Sequence, residues 1–183
     1  MNEKIMGLDP SIAAFGWCVL ELEPARVVTL GTVRTAKGTA GRHVYRADDD
    51  GLRIDTIAGV LVREARAHGV RLIAAEAPAG AQSAVAAKAM GQAYALARTV
   101  GVALGIRVIT VQAHEPRTLL CGRKDASKGD VETALRVLYP EAGPMLEAGG
   151  SRVAAPVREG AFDAIAVAHV AILGTFGALL RGY

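Results

Sequence analysis

Three apolar runs crowd into the first 33 residues: Lys4–Leu8, Gly16–Leu22 and Val27–Val33. Their Val, Leu, Trp and Thr content is that of strands. The first stops at Asp9-Pro10, because proline cannot continue strand pairing. Joined by short links, the three predict an antiparallel meander. The chain then changes character. Lys37–Asp50 is polar and aperiodic, an exposed loop. From Leu52 to His68, Ile54, Ile57, Ala58, Leu61, Val62 and Ala65 recur at helical spacing, and Gly69 closes the helix. Val70–Ala75 is a short strand, Ser83–Leu104 an Ala-rich helix stopped by Gly105, and Ile106–Val111 another strand. Glu115–Leu120 and Gly129–Leu138 read as helices around a basic turn. Pro140, Gly143, Pro144, Gly149, Gly150 and Pro156 then break the pattern, and a final helix runs from about Glu159 to the C-terminus. The order predicts one α/β domain: a mixed five-stranded sheet, three antiparallel strands then two parallel, flanked by helices.

A chain of 183 residues, 51% of them hydrophobic, can bury a proper core and is not disordered. Aromatics are only 4%, which argues against a base-stacking platform as the main binding surface. The net charge of +3 is small, but basic residues collect in two aperiodic stretches, Arg34–Arg46 and Arg117–Lys128, as in loops that touch phosphates. Cys18 and Cys121 have no metal-type spacing, and Cys18 reads as a small buried hydrophobe. Met1–Ile5 lacks a signal-peptide apolar core. Ala161–Leu180 approaches membrane-span length but carries Asp163 and His169 and reads as a buried core helix. A soluble, cytoplasmic protein is expected.

Three carboxylates stand at equivalent places. Asp9 follows the strand Ile5-Met6-Gly7-Leu8, Glu76 follows Leu72-Ile73-Ala74-Ala75, and Asp163 falls in the first turn of the final helix as read here. Strand ends of an open α/β sheet converge on its functional crevice. Acids in apolar flanks are costly unless paired or bound to cations, and all-oxygen ligands suit Mg²⁺ or Mn²⁺. Each acid also has a plainer reading, as a turn former, a solvated strand end or a helix N-terminal charge.

Asp9-Pro10-Ser11 followed by Phe15-Gly16-Trp17 resembles the opening of RuvC-type Holliday junction resolvases, within the RNase H-like nuclease superfamily. Ala75-Glu76 is similar to that family's second acid, Gly91-Gln92-Ala93 to its Gly-Gln-Ala segment, and Lys128-Gly129-Asp130-Val131 to its basic Lys opening a helix. Asp163-Ala164-Ile165-Ala166-Val167-Ala168 resembles its final Asp-Ala-x-Ala-x-Ala. The matches keep family order from about residue 5 to 170. Ser11 replaces a glycine, Gly160 stands where the family has a fourth acidic or His ligand, and Ala79 stands where it often has an aromatic. Glu159, at i−4 from Asp163, shares its helix face and is the alternative fourth ligand. These departures fit a divergent, phage-borne branch better than a housekeeping bacterial enzyme.

The resemblance implies an RNase H-like fold and a crossover junction endodeoxyribonuclease, a homodimer making paired nicks with 5′-phosphate and 3′-hydroxyl ends. Asp9, Glu76, Asp163 and Glu159 would hold two Mg²⁺ ions, with Mn²⁺ able to substitute. Lys128, disfavoured at a helix start by the macrodipole, would sit near the scissile phosphate. Arg117, Arg123, Lys124, Arg42 and Arg46 would hold flanking backbone, and Gln82, Ser83 and Lys88 would face the same crevice. The exposed face of the Ala-rich helix would pack against its twin. Two alternatives remain: an RNase H-like nuclease for other branched DNA or RNA, and a non-catalytic junction-binding architectural protein. Sugar-kinase or actin-like ATP binding needs a second half-domain for which 183 residues leave no room.

Overall fold

Residues 3–38, 46–148 and 154–174 are described by a computed structural model. The strands β1 (Lys4–Asp9), β2 (Ala14–Leu22) and β3 (Ala25–Arg34) form the expected meander, each antiparallel to the next. Helix α1 (Arg46–His68) crosses over to β4 (Leu72–Glu76), which lies parallel to β1. Helix α2 (Ala84–Leu104) leads to β5 (Arg107–Val111), parallel to β4. The sheet order is β3-β2-β1-β4-β5, which makes β1 the central strand. The helices α3 (His114–Cys121), α4 (Lys128–Leu138), α5 (Ala142–Glu147) and α6 (Ala155–Leu173) complete the described chain.

Successive side chains of a strand point to opposite faces, so the sheet feeds two cores. Ile5, Cys18, Leu20, Leu72 and Ala74 pack with α6, with Val131 and Leu135 of α4 and with Tyr139. Met6, Leu8, Trp17, Val19, Ile73 and Ala75 pack instead with Ile57 and Leu61 of α1 and with Ala93, Leu96 and Val100 of α2. Cys18 is fully buried and unpaired, the small hydrophobe expected of it.

Three readings of the sequence need correction. Helix α1 begins at Arg46, inside the stretch expected to be loop. Its opening is polar and shows no apolar period, but Asp48 and Asp49 lie in its first turn, where the helix dipole favours acids. A short helix, α5, forms where only breakers were read. Helix α6 begins at Ala155 rather than Glu159, because Pro156 sits in its first turn, where a missing N–H costs nothing. Asp163 is therefore about two turns inside the helix, not in its first turn, and is no N-terminal helix charge. The described part of α6 ends at Gly174; residues 175–183, read as its continuation, lie outside the described residues. Among the described residues no helix is long and apolar enough to cross a membrane. The apolar stretch is instead a core helix, with Ala164, Ile165, Ala166, Val167 and Ala168 buried.

Helix α2 matches its reading closely. Ser83 is the N-cap, accepting a bond from the Ala86 N–H at 3.2 Å, and Gly105 closes the helix at φ 66°. Its inner face packs on the sheet and α1, while Ala84, Ala87, Gly91, Ala95 and Val102 are exposed.

Candidate active site

Strand parity brings the first two carboxylates together. Asp9 shares the face of Ile5 and Gly7, and Glu76 that of Leu72 and Ala74, so both belong to the α6 side of the sheet. Leu8 pairs with Ala75 in the parallel register of β1 and β4, which places Asp9 and Glu76 side by side one residue further on.

Bare backbone sets the third carboxylate. Where α6 crosses the sheet, a Cβ added to Gly7 would run into the Ala164 carbonyl, and one added to Gly16 into the Gly160 carbonyl. Only glycine permits that approach. Gly16 is the ladder partner of Asp9, so seating Gly160 over Gly16 carries Asp163, about one turn further along α6, to the end of β1. Asp9, Glu76 and Asp163 line one cavity with Arg117 of α3 and Lys128 of α4, backed by Pro116, Val131 and Ala166.

Lys128 reaches this cavity from the first position of α4. Ser127 and Asp130 form a capping box there: the Asp130 N–H donates to Ser127 Oγ at 3.1 Å, and the Ser127 N–H donates to Asp130 Oδ2 at 2.9 Å. The Lys128 ammonium donates to Asp163 Oδ2 at 2.5 Å. That ion pair explains a lysine at a helix start where the dipole opposes it.

The electrostatics are those of crowded acids. Burial, then the charges of Asp163 and Glu76, push the Asp9 carboxyl up to about 7 against the pull of Lys128. Burial and Asp163 likewise raise Glu76, while Lys128 and Arg117 oppose the rise. Burial alone would lower the Lys128 ammonium; its bond to Asp163 and the charges of Asp163, Asp9 and Glu159 outweigh that and hold it above its usual range. Hard oxygen donors held in a state of mutual repulsion fit a divalent cation. As placed, the described residues form no ready cluster of three metal ligands, and Lys128 engages one Asp163 oxygen. The acids share a wall that a cation would draw together.

The remaining expected residues are distributed differently. Glu159 is exposed and does not line the cavity, though its charge is felt at Lys128. Arg117 stands closer than expected, in the cavity wall itself. Arg123 is committed to Asp130 at 2.7 Å and Asp125 at 3.5 Å, bracing the turn before α4. Lys124 lines a separate groove with Leu119 and Leu173. Lys88 pairs with Asp50 at 3.6 Å and, with Ser83, lines another groove beyond Pro10. Gln82 is exposed beside them. None of Gln82, Ser83 and Lys88 reaches the acid cavity wall. Arg42 lies outside the described residues, as does the side chain of Arg46 at the start of α1. The sequence reading missed the positioning roles of Gly7 and Gly16; small residues at intervals along central strands are the signal that a helix backbone comes close.

No family model matches the chain. It is 27% identical over 143 residues to the crossover junction endodeoxyribonuclease RuvC of Nitrobacter hamburgensis, covering 77% of this chain and 79% of that protein. The protein of the same name from Parvibaculum lavamentivorans is 27% identical over 139 residues, 75% of this chain and 74% of that one. Among solved structures, T. thermophilus RuvC in complex with a Holliday junction substrate superposes with a TM-score of 0.73 at 18% identity, covering 98% of this chain and 96% of that one. The yeast mitochondrial Holliday junction resolvase Ydc2 gives 0.69 at 13% identity, covering 100% and 82%. The fold is that of RuvC, the RNase H-like fold.

Proposed function

We propose that this chain, a divergent RuvC-type protein, is a metal-dependent, structure-selective DNA endonuclease that resolves four-way junctions by paired phosphodiester hydrolysis, leaving 5′-phosphate and 3′-hydroxyl ends. The observation that carries this reading is the convergence of Asp9, Glu76 and Asp163, remote in sequence, on one cavity that also holds Lys128 and Arg117.

Asp9 and Glu76 from neighbouring parallel strands, and Asp163 from α6, would be the oxygen donors for two Mg²⁺ ions, with Mn²⁺ as a substitute. Bound there, the ions would supply an activated water and charge neutralisation at the phosphorane. The protein supplies the rest. Two acids on the sheet and one on a helix seated over glycine share one cavity wall, which a bound cation would draw closer together. Lys128 is carried on a capped helix end and Arg117 on α3. Both offset the negative charge that a phosphodiester adds to an already acidic cavity. With Asp163 among the oxygen donors, Lys128 would be freed of its bond to that carboxylate and would sit near the scissile phosphate. Lys124, and Lys88 with Ser83, each lining a groove outside the acid cavity, hold flanking DNA with the exposed Gln82 and with Arg42, Arg46 and Arg123. Glu159 lies outside the ligand set and tunes Lys128 through its charge.

Two symmetric cuts require two such cavities, and a C2 homodimer supplies them. The exposed strip of small residues on α2 is the contact surface.

The test compares a four-way junction with linear duplex, flap and single strand in Mg²⁺, Mn²⁺ or Ca²⁺. Paired nicks on the junction are expected in Mg²⁺. Asp163→Asn binds the junction in a gel shift but leaves it uncut, a loss of at least about 10²-fold. Equal cutting of linear duplex defeats the junction assignment and leaves the nuclease assignment standing.

A further inference from the structure

Helix α4 carries Lys128, Glu132 and Arg136 at successive i, i+4 positions, so the three charged side chains lie along one stripe. Each of them meets α6. Lys128 donates to Asp163, Glu132 Oε2 stands 3.4 Å from Arg158 Nε, and the Arg136 guanidinium lies 4.7 Å from the centre of the Phe162 ring. Glu132 joins two of these links, because its other oxygen accepts from Arg136 Nε at 3.0 Å and from Arg136 Nη2 at 2.8 Å. Arg136 is confined further by α5, where a Cβ added to Gly143 would strike it. Arg158 Nε is buried without a hydrogen bond, so the Glu132 carboxylate is the charge that balances it there. The Glu132 side chain is only 19% exposed, against 57% for Lys128.

A carboxylate bridging two half-exposed arginines contributes little to stability. Its place on α4 points to a different task. Lys128 rides on the first turn of the helix, one turn before Glu132, and its bond to Asp163 holds it in the acid cavity. That bond is given up if Asp163 becomes an oxygen donor to a cation. The ammonium then keeps its place only as well as the helix beneath it is seated, and Glu132 is the next link along α4 to α6. We propose that Glu132 is a positioning residue for Lys128: bound to Arg158 and Arg136, it pins the opening of α4 to α6 and keeps the ammonium in the cavity. The proposal rests on the nuclease reading above. Glu132 does not line the cavity, so its effect on cleavage passes through the helix. A displacement of about 1 Å at a reacting centre can cost about 10²-fold in rate.

The experiment reads three quantities: single-turnover cleavage of a four-way junction in Mg²⁺ at saturating protein, junction affinity in Ca²⁺ by gel shift, and acetylation of Lys128 in chelator by mass spectrometry. In Glu132→Gln, cleavage should slow about ten-fold with affinity unchanged. Lys128 should be acetylated faster than in wild type, while Lys4, at the other end of β1 from Asp9, keeps its rate. Arg158→Gln, made at the more exposed partner, should do the same, and the two substitutions together no more than either alone. Added to Lys128→Ala, Glu132→Gln should lower the residual rate no further. Folded Glu132→Gln and Arg158→Gln proteins that cleave at the wild-type rate overturn the positioning role. So does a loss carried by affinity alone, or a further fall of the same size in the Lys128→Ala background. Wild-type acetylation of Lys128 in both variants overturns the positioning and leaves the nuclease reading intact. No cleavage by wild type overturns that reading and this role with it.

Discussion

Asp9 is an acid whose fold opposes its charge. Its carboxyl stands near 7 rather than its ordinary 3.8, raised by burial and by Asp163 and Glu76. A group that holds its proton more tightly when folded favours folding fully below its unfolded pKa, and that contribution is lost as pH rises through the folded value. Metal-free protein therefore loses stability between about pH 4 and pH 7 on account of Asp9. Asp9→Asn should remove this dependence and stabilise the metal-free protein at pH 8 by about 1–4 kcal/mol, with little gain at pH 4. Urea unfolding of both proteins in chelator at the two pH values measures it. Equal wild-type and variant stabilities at pH 8 would mean that the acid is not strained. His169, bonded to Tyr139 at 2.8 Å and lowered by burial, acts in the opposite direction at acid pH in both proteins, so their difference isolates Asp9.

At the scale of elements, the decisive contact is α6 on β1 and β2. Because Gly16 abuts the Gly160 carbonyl, Gly16→Ala must lift the helix or bend the strand. We expect a loss of about 1–3 kcal/mol in thermal or urea unfolding, as in overpacked cores. Cleavage should fall further than this stability loss explains, because Asp163 rides on the displaced helix. A Gly16→Ala protein with wild-type cleavage at a temperature where it is fully folded would show that the seam does not set the site. The same elements show what the sequence made legible. The meander, the helix from Ser83 to Gly105 and the strand-end acids follow from apolar period and caps, which are local signals. A polar opening hid the start of α1 and a proline that of α6: Asp48 and Asp49 look like loop and Pro156 looks like a breaker, yet each is at home in a first turn. The placement of Arg117 in the wall, and of Ser83 and Lys88 away from it, depends on how α3 and α2 lie on the sheet, which no local pattern encodes.

For the molecule as a whole, junction resolution demands two coordinated cuts. The described chain brings its acids to one cavity and leaves Ala84, Ala87, Gly91 and Ala95 exposed along α2. A Cβ added at Gly91 meets nothing within 4 Å in the isolated chain, so Gly91→Arg should fold normally. In a dimer joined through α2 it would place a charge in the contact. Sedimentation should then report a monomer, and supercoiled cruciform plasmid should yield nicked circles in place of linear product. A dimeric Gly91→Arg protein that still linearises the plasmid would place the partner contact elsewhere.

The seam of glycine against helix backbone also bears on how this scaffold can be altered. Side chains in the turn after β4 border the cleft and could be exchanged to suit another substrate, because they hang from the frame without setting it. Gly7 and Gly16 act as a datum from which the other dimensions of the cleft are measured. Redesign, like natural drift, has little freedom at these two positions, which possess no side chain to vary.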